Sequence, residues 1–400
     1  MESSENSTAR YNQRLKDLID ATSFREPDKV PVGIEVINWP LAYAGVKLMD
    51  VVDDPIATSK AYTKILDDIE IDFHTLSFGL NHSIQTLQAL GSIQYRLAEN
   101  GVTVEHVQAE FSFMTADEYA DVISDYQGFR KNTMSQRSFK AFQGSKAEAY
   151  DAMKKAALAL KNHVVTNRLI SQRVAEKGIV PVNLMQTNNI APWYYGPFNV
   201  LFDYLRGVKD SLVDLRRRPE AVKAVNQIVE SFRPLSKVSP DDYPAISPIP
   251  ASWTFYHSEC FLNNQQFDEL FFQGFKKHAL PYMEKGAKYL LKGEGMFLNT
   301  LGRFRELPKG SLIIELDQDD PFDAYKIIGD HQTLATGIKL DLLRSGTKQQ
   351  CIDYVKRCFD TFAPGGGFIF MPQKPLIAPG DVNIKNLLAV YEFANHYGTK

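Results

Sequence analysis

The chain reads as an α/β protein of the (β/α)8 TIM-type barrel class, with an N-terminal helical extension and a β-hairpin at the rim. Three observations lead there. From about residue 179 onward, short apolar runs alternate with helical segments, the order expected of a parallel sheet. Each strand–helix unit takes ~25–40 residues, a spacing that suits a barrel. Several apolar runs end in polar or charged residues, as in Phe368-Ile369-Phe370-Met371-Pro372-Gln373-Lys374, where strand tips would open onto a common mouth.

The elements follow in order. Residues 1–10 are polar and predict a frayed tail without a signal sequence. Residues 11–22 predict a helix with Leu15, Leu18 and Ile19 on one face. After a turn at Phe24–Lys29, Val30–Val36 predicts a strand, Asp54–Ile69 a helix and Ile71–Leu76 a second strand. Residues 92–112 alternate in polarity around Asn100-Gly101, a hairpin signal. Thr115 with Glu118 has the form of a capping box. Residues 146–177 predict one long helix ending near Gly178, followed by a strand at Ile179–Met185. Helices are expected at Asn199–Leu215 and Pro219–Phe232, a strand within Ile246–Phe255, and a helix at Asn264–Gly286 interrupted at Pro281. Strands at Ala287–Leu291, Ser311–Leu316 and Thr333–Ile338 come next, with a helix at Pro321–Ile328 between the last two. Lys348–Phe362 predicts a helix, the triplet Gly365-Gly366-Gly367 a tight loop into the last strand, and Asn383–His396 the closing helix. No G-x-G-x-x-G opens a helix after a strand, which argues against a dinucleotide-binding doubly wound sheet. No linker-like segment divides residues 11–400, which are read as one domain.

Composition narrows the function. Of 400 residues, 44% are hydrophobic and 23% charged, enough for one large core. A net charge of −3 gives no pull toward nucleic acid or anionic lipid. No apolar run approaches the ~18 residues of a membrane span. The three cysteines, Cys260, Cys351 and Cys358, form no C-x-x-C pair and fit a reducing cytoplasm.

In a barrel, chemistry gathers on the loops at the carboxyl ends of the strands. Gln186 and Asn188 follow Leu184-Met185 and are candidate ligand-binding amides; a hydrogen-bonded loop is the plainer alternative. Trp193, Tyr194 and Tyr195 stand between prolines, and the two tyrosines are candidates for an apolar substrate wall. His257 and Glu259 alternate, so in an extended segment they share a side, and a carboxylate there would tune the imidazole for proton transfer. Lys292 and Glu294 follow Tyr289-Leu290-Leu291; charges at a buried strand end are costly unless paired or functional. Glu315 and Lys374 hold equivalent positions after their own strands, and Lys292 and Glu294 are expected to pair with each other or with these two across the mouth. The candidate catalytic set is His257, Glu259, Lys292 and Glu294. The candidate substrate-binding set is Gln186, Asn188, Tyr194, Tyr195, Glu315 and Lys374. No metal site is expected.

The order of motifs resembles the uroporphyrinogen decarboxylase superfamily. The resemblance rests on Phe24-Arg25-Glu26-Pro27-Asp28-Lys29-Val30-Pro31-Val32, Met114–Tyr119, Gly196-Pro197-Phe198, Asp203–Gly207, Arg218-Pro219-Glu220, Ile328-Gly329-Asp330, Gly346-Thr347 and Gly365–Ile369. It implies a barrel, commonly a homodimer, and either haem-pathway decarboxylation or corrinoid-dependent methyl transfer. The decarboxylase carries an R-Q-A-G-R segment after its first strand, where this chain has Glu35-Val36-Ile37-Asn38-Trp39-Pro40-Leu41. The methyltransferase branch binds zinc through H-x-C and a later cysteine, where this chain has Lys292-Gly293-Glu294 and Gln373-Lys374. The expectation is therefore methyl transfer between a small methylated substrate and a partner protein's corrinoid (cobalamin), without a His/Cys zinc site. The alternatives are a decarboxylase of the uroporphyrinogen type and a non-catalytic barrel acting as a binding subunit.

Overall fold

Runs of Val, Ile, Leu and Phe too apolar for a sheet with one wet face are buried on both faces in parallel sheets. The computed structural model describes residues 4–75, 78–107, 112–182, 192–233, 239–242, 249 and 251–399. Its strands are β1 (Gly33–Ile34), β2 (Phe73–His74), β3 (Tyr95–Leu97), β4 (Val104–His106), β5 (Val180–Pro181), β6 (Ser252–Tyr256), β7 (Tyr289–Gly293), β8 (Leu312–Glu315), β9 (Thr333–Thr336) and β10 (Phe368–Phe370). β1, β2 and β5 form one parallel sheet in the order β1-β2-β5, and a second runs β10-β9-β8-β7-β6. Single links join their edges. Val32 bridges Phe370 in parallel, with the Phe370 N–H donating to the Pro31 carbonyl at 2.9 Å. The Ala251 N–H donates to the Val182 carbonyl at 2.5 Å, and Tyr194 bridges Thr254. β3 and β4 make the antiparallel hairpin, with Gly101 at φ 73° in its turn.

Alternation along the strands sorts the core into two layers. Phe73, Trp253, Leu290, Ile313, Ala335 and Ile369 pack together on one side. Leu291, Ile314 and Leu334 join Tyr256, Phe271 and the helices on the other. Two residues beyond the first set, the same side is occupied by charge: Lys292 and Glu315.

The first helix, α1 (Ser4–Thr22), begins well before residue 11, so residues 4–10 are helix where the sequence reading expected a frayed tail. Its early turns rest on the end of the long helix α2 (Lys146–Glu176), where a Cβ on Gly178 would lie 2.6 Å from the Ser7 carbonyl oxygen. Arg14 fixes the contact, pairing with Asp72 at 3.0 Å and donating to the Lys177 carbonyl at 2.8 Å. The glycine triplet does act as a tight loop. Gly366 has φ 80°, and a Cβ there would meet the Arg25 carbonyl at 2.6 Å, so the strand entry can lie directly on the Phe24-Arg25 turn.

The helix expected over Asn199–Leu215 is broken. It comprises Pro197–Val200, a π-turn at Leu201–Leu205 and α3 (Val208–Arg217), with Gly207 at φ 76° between the last two. A π-turn carries one residue more than an α-turn and changes which side chains face inward. Arg206 closes it by pairing with buried Asp214 at 2.8 Å and donating to the Met114 carbonyl at 2.8 Å.

Candidate functional site

Two charged clusters stand at the strand tips. The first is built by the pleat and by register. Lys292 is the neighbour of Glu315 across β7 and β8, and Glu35 lies one residue past β1. The Lys292 ammonium donates to the Glu35 carboxylate and lies 3.0 Å from Glu315 Oε2. All three side chains are buried. Burial pushes the Glu35 carboxyl up to about 8, against the pull of Lys292. Burial would lower Lys292, but the Glu315 and Glu35 carboxylates prevail and push it well up. Among the described residues, buried Glu315 Oε1 has no hydrogen-bond partner.

The second cluster centres on His257. Its Nδ1 lies 3.2 Å from Asp203 Oδ1, and its Nε2 lies 3.5 Å from Glu294 Oε2. The π-turn presents Asp203, whose carboxylate also accepts from the Tyr195 hydroxyl. Burial works to lower the imidazole's pKa, but the hydrogen bond and charge of Asp203, with Glu294 and Glu259 behind it, raise it to about 9. The ring is therefore a cation at neutral pH with both nitrogens carrying protons. Other imidazoles of the chain behave oppositely: burial holds His74 and His106 down at about 4. His106 belongs to a column of rings, His82, Tyr95, His106 and Tyr204, with successive centroids 4.7, 4.5 and 6.0 Å apart. Glu294, on the open side, has its carboxyl raised by burial, with His257 and Lys292 opposing. Its side chain is 40% exposed, against 21% for the imidazole whose Nε2 it faces.

This arrangement gives a direct pH expectation. The imidazole resonances of His257 titrate near pH 9 by NMR, and Asp203→Asn moves that midpoint down by more than one unit. The linked stabilisation is fully present below the unfolded-state pKa of ~6.5. It is lost as pH rises through about 9.

The remaining sequence candidates divide. Lys374 Nζ pairs with Asp317 at 3.1 Å and lines a polar cavity of about 500 Å³ with Gln318, Lys339 and Gln373. Tyr195 lines a second cavity of about 450 Å³ with Trp193, Tyr204 and Trp253, where the Trp193 and Trp253 indoles stack with centroids 5.1 Å apart. Tyr194 does not join that wall. Its bridge to Thr254 turns it to the opposite face, where it is buried against Phe271 and Phe275 under the Arg233 guanidinium. Glu259 does not share a side with His257 either. The chain leaves β6 in a 3-10 turn at Ser258–Phe261, so the carboxylate folds back to accept from the His257 N–H at 2.7 Å and from Asn199 Nδ2 at 3.0 Å. Burial raises Glu259 to about 8, and its carboxyl braces the chain beneath the imidazole. Lys292 and Glu294 pair with other groups instead of each other. Gln186 and Asn188 lie outside the described residues.

Sequence reasoning missed Asp203 and Glu35. Glu35 had a signal, as a lone acid closing the apolar run Val30–Ile34. Asp203 opens one of the motifs that carry the resemblance, but its inward aim depends on the π-turn, which the sequence pattern does not announce.

No protein-family model matches the sequence, and no curated protein matches it either. Among solved structures, the fold is similar to a methyltransferase from Methanosarcina mazei, with a TM-score of 0.56 and 12% identity, covering 96% of this chain and 98% of that one. The shared feature is the fold.

The zinc that the resemblance implies for the methyltransferase branch does not fit these residues. At the first ligand position stands the Lys292 ammonium, locked between two carboxylates and repelling a dication. The nearby thiol, Cys260, donates to the His257 carbonyl at 3.0 Å. Burial first, then the Glu259 charge, push it up to about 12, far from the thiolate that zinc requires. Among the described residues no group of three or more His, Cys, Asp and Glu is placed to hold a metal ion. No helix among them is long and apolar enough to cross a membrane.

Proposed function

We propose that this chain is an acid-assisted methyltransferase of the uroporphyrinogen decarboxylase superfamily. It would move a methyl group from a small O- or N-methylated substrate to a corrinoid carried by a partner protein. The observation that carries this reading is the His257 imidazolium, held by Asp203 at Nδ1 and facing the part-exposed Glu294 at Nε2. The likeness to a methyltransferase fold supports the reaction class. The two sheets are read as one eight-stranded ring, supported by the Val32–Phe370 bridge at one seam and the Ala251–Val182 hydrogen bond at the other.

In this mechanism the acceptor's electron pair forms the new bond to the methyl carbon. The old carbon–heteroatom bond breaks with its electrons on the leaving atom, which takes the proton from His257 Nε2. Asp203 holds the imidazole orientation through Nδ1, and Tyr195 holds Asp203. Glu294 returns a proton from solvent after turnover. The proposed holder of a negative group on the substrate is Lys374, whose pairing with Asp317 is 41% exposed on the lysine side, whereas Lys292 is buried between Glu35 and Glu315. That engagement also weighs against a polyanionic porphyrinogen, which would meet Glu35 and Glu315 where the decarboxylase offers arginines.

The test is a transfer assay with the purified protein, reduced cobalamin and a panel of 13C-methyl ethers and methylamines. Methylcobalamin appearing with at least one donor, and only with enzyme, is the expected result. Decarboxylation of uroporphyrinogen without any methyl transfer would overturn the reading.

A further inference from the structure

The long helix α2 carries a seam that no described residue covers, and this inference is independent of the reaction proposed above. Its inward side, Ala156, Thr166, Ile170 and Val174, is buried. Elsewhere on the helix Tyr150, Met153, Leu160 and Val164 are exposed by 65, 46, 48 and 58%. With exposed Ala157 they fall at positions 150, 153, 157, 160 and 164, alternating steps of three and four. At 100° per residue these five lie within an arc of about 80°. That narrow heptad stripe is the pattern with which one helix receives another. Beside it runs an exposed basic column, Lys154, Lys161 and Arg168, also at seven-residue spacing.

We infer that this face of α2 docks an amphipathic helix of a partner protein whose flanking column is acidic. The charges decide among the possible occupants. A second copy packing the same seam antiparallel brings Lys154 and Lys161 against their own equivalents, with no acid in that column to offset them. A lipid surface fits poorly, because the basic column runs between the seam and two further exposed apolar residues, Leu158 and Val165. Insertion of the whole face would submerge the cations. An acidic-flanked helix satisfies both the seam and the column.

The test uses two labelled 28-residue peptides with leucine at the core heptad positions, one flanked by glutamate and one by lysine, titrated with the intact protein by fluorescence anisotropy. The glutamate peptide is expected to bind at least tenfold more tightly. Leu160→Asp should weaken it tenfold or more, and the triple exchange Lys154→Glu, Lys161→Glu, Arg168→Glu should reverse the preference. Equal binding of the two peptides, or no effect of Leu160→Asp, overturns the inference. A dimer that Leu160→Asp converts to monomer in sedimentation would assign the face to a second copy. Loss by the same variant of binding to 3:1 phosphatidylcholine–phosphatidylserine vesicles would assign it to membrane.

Discussion

His257→Ala is expected to lower the methyl-transfer rate by ~10²–10⁴, the usual contribution of a positioned general acid. The loss should be largest for donors whose leaving group is most basic, since these need the proton most. A donor with an acidified leaving group, such as a nitrophenyl methyl ether, should recover much of the rate. Asp203→Asn tests the same cation from behind. It leaves the imidazole in place but removes the charge that holds it protonated, so the fall in rate with rising pH should begin well below the wild-type value of about 9. Rate profiles against pH for the wild type and this variant measure the shift. Unchanged turnover in both His257→Ala and Glu294→Gln would sink the acid assignment.

Lys292→Met is expected to be the most destabilising single change at the site. It removes the cation from between Glu35 and Glu315 and leaves two buried carboxyl groups without compensation. Breaking a buried ion cluster from one side costs about 3–5 kcal/mol. Protonation of Glu35 relieves part of this at low pH, so the penalty should grow as pH rises through about 8. Urea unfolding of the wild type and variant at pH 5.5 and 8.5 checks both sign and trend. A triple apolar replacement of Glu35, Lys292 and Glu315 should recover much of the loss, because the attraction within such a cluster largely offsets the desolvation of its own charges. A penalty below about 1 kcal/mol in Lys292→Met would show that the carboxylates are solvated, contrary to their burial.

Much of the architecture was legible in the sequence because local signals and the tertiary fold agree. The long helix ends where a glycine breaks it, and the hairpin turns at Asn100-Gly101. Lys292 and Glu315 are visible as charges at the ends of apolar runs, and pairing them follows from register. The failures share a cause: a local departure from regular pitch. Extending the strand geometry past Tyr256 places Glu259 beside the imidazole, whereas the 3-10 turn tucks it underneath. Counting from Trp193 makes the aromatic triplet a single wall, whereas the pleat sends Tyr194 to the helical side. The polar start of α1 has weak helical signals of its own, and its order comes from the distant Gly178 and Asp72 contacts.

The bulged turn at Leu201–Leu205 has a consequence for tracing distant relatives of this chain. Each residue advances a helix by about 100°, so a superposition that assumes regular pitch through this turn slides the register by one. Such a superposition would put Phe202 or Tyr204 at the inward position and score the acid as missing in proteins that possess it. Searches for the same proton-holding device should therefore allow a one-residue gap at that turn, and should anchor instead on Gly207, two residues past its end.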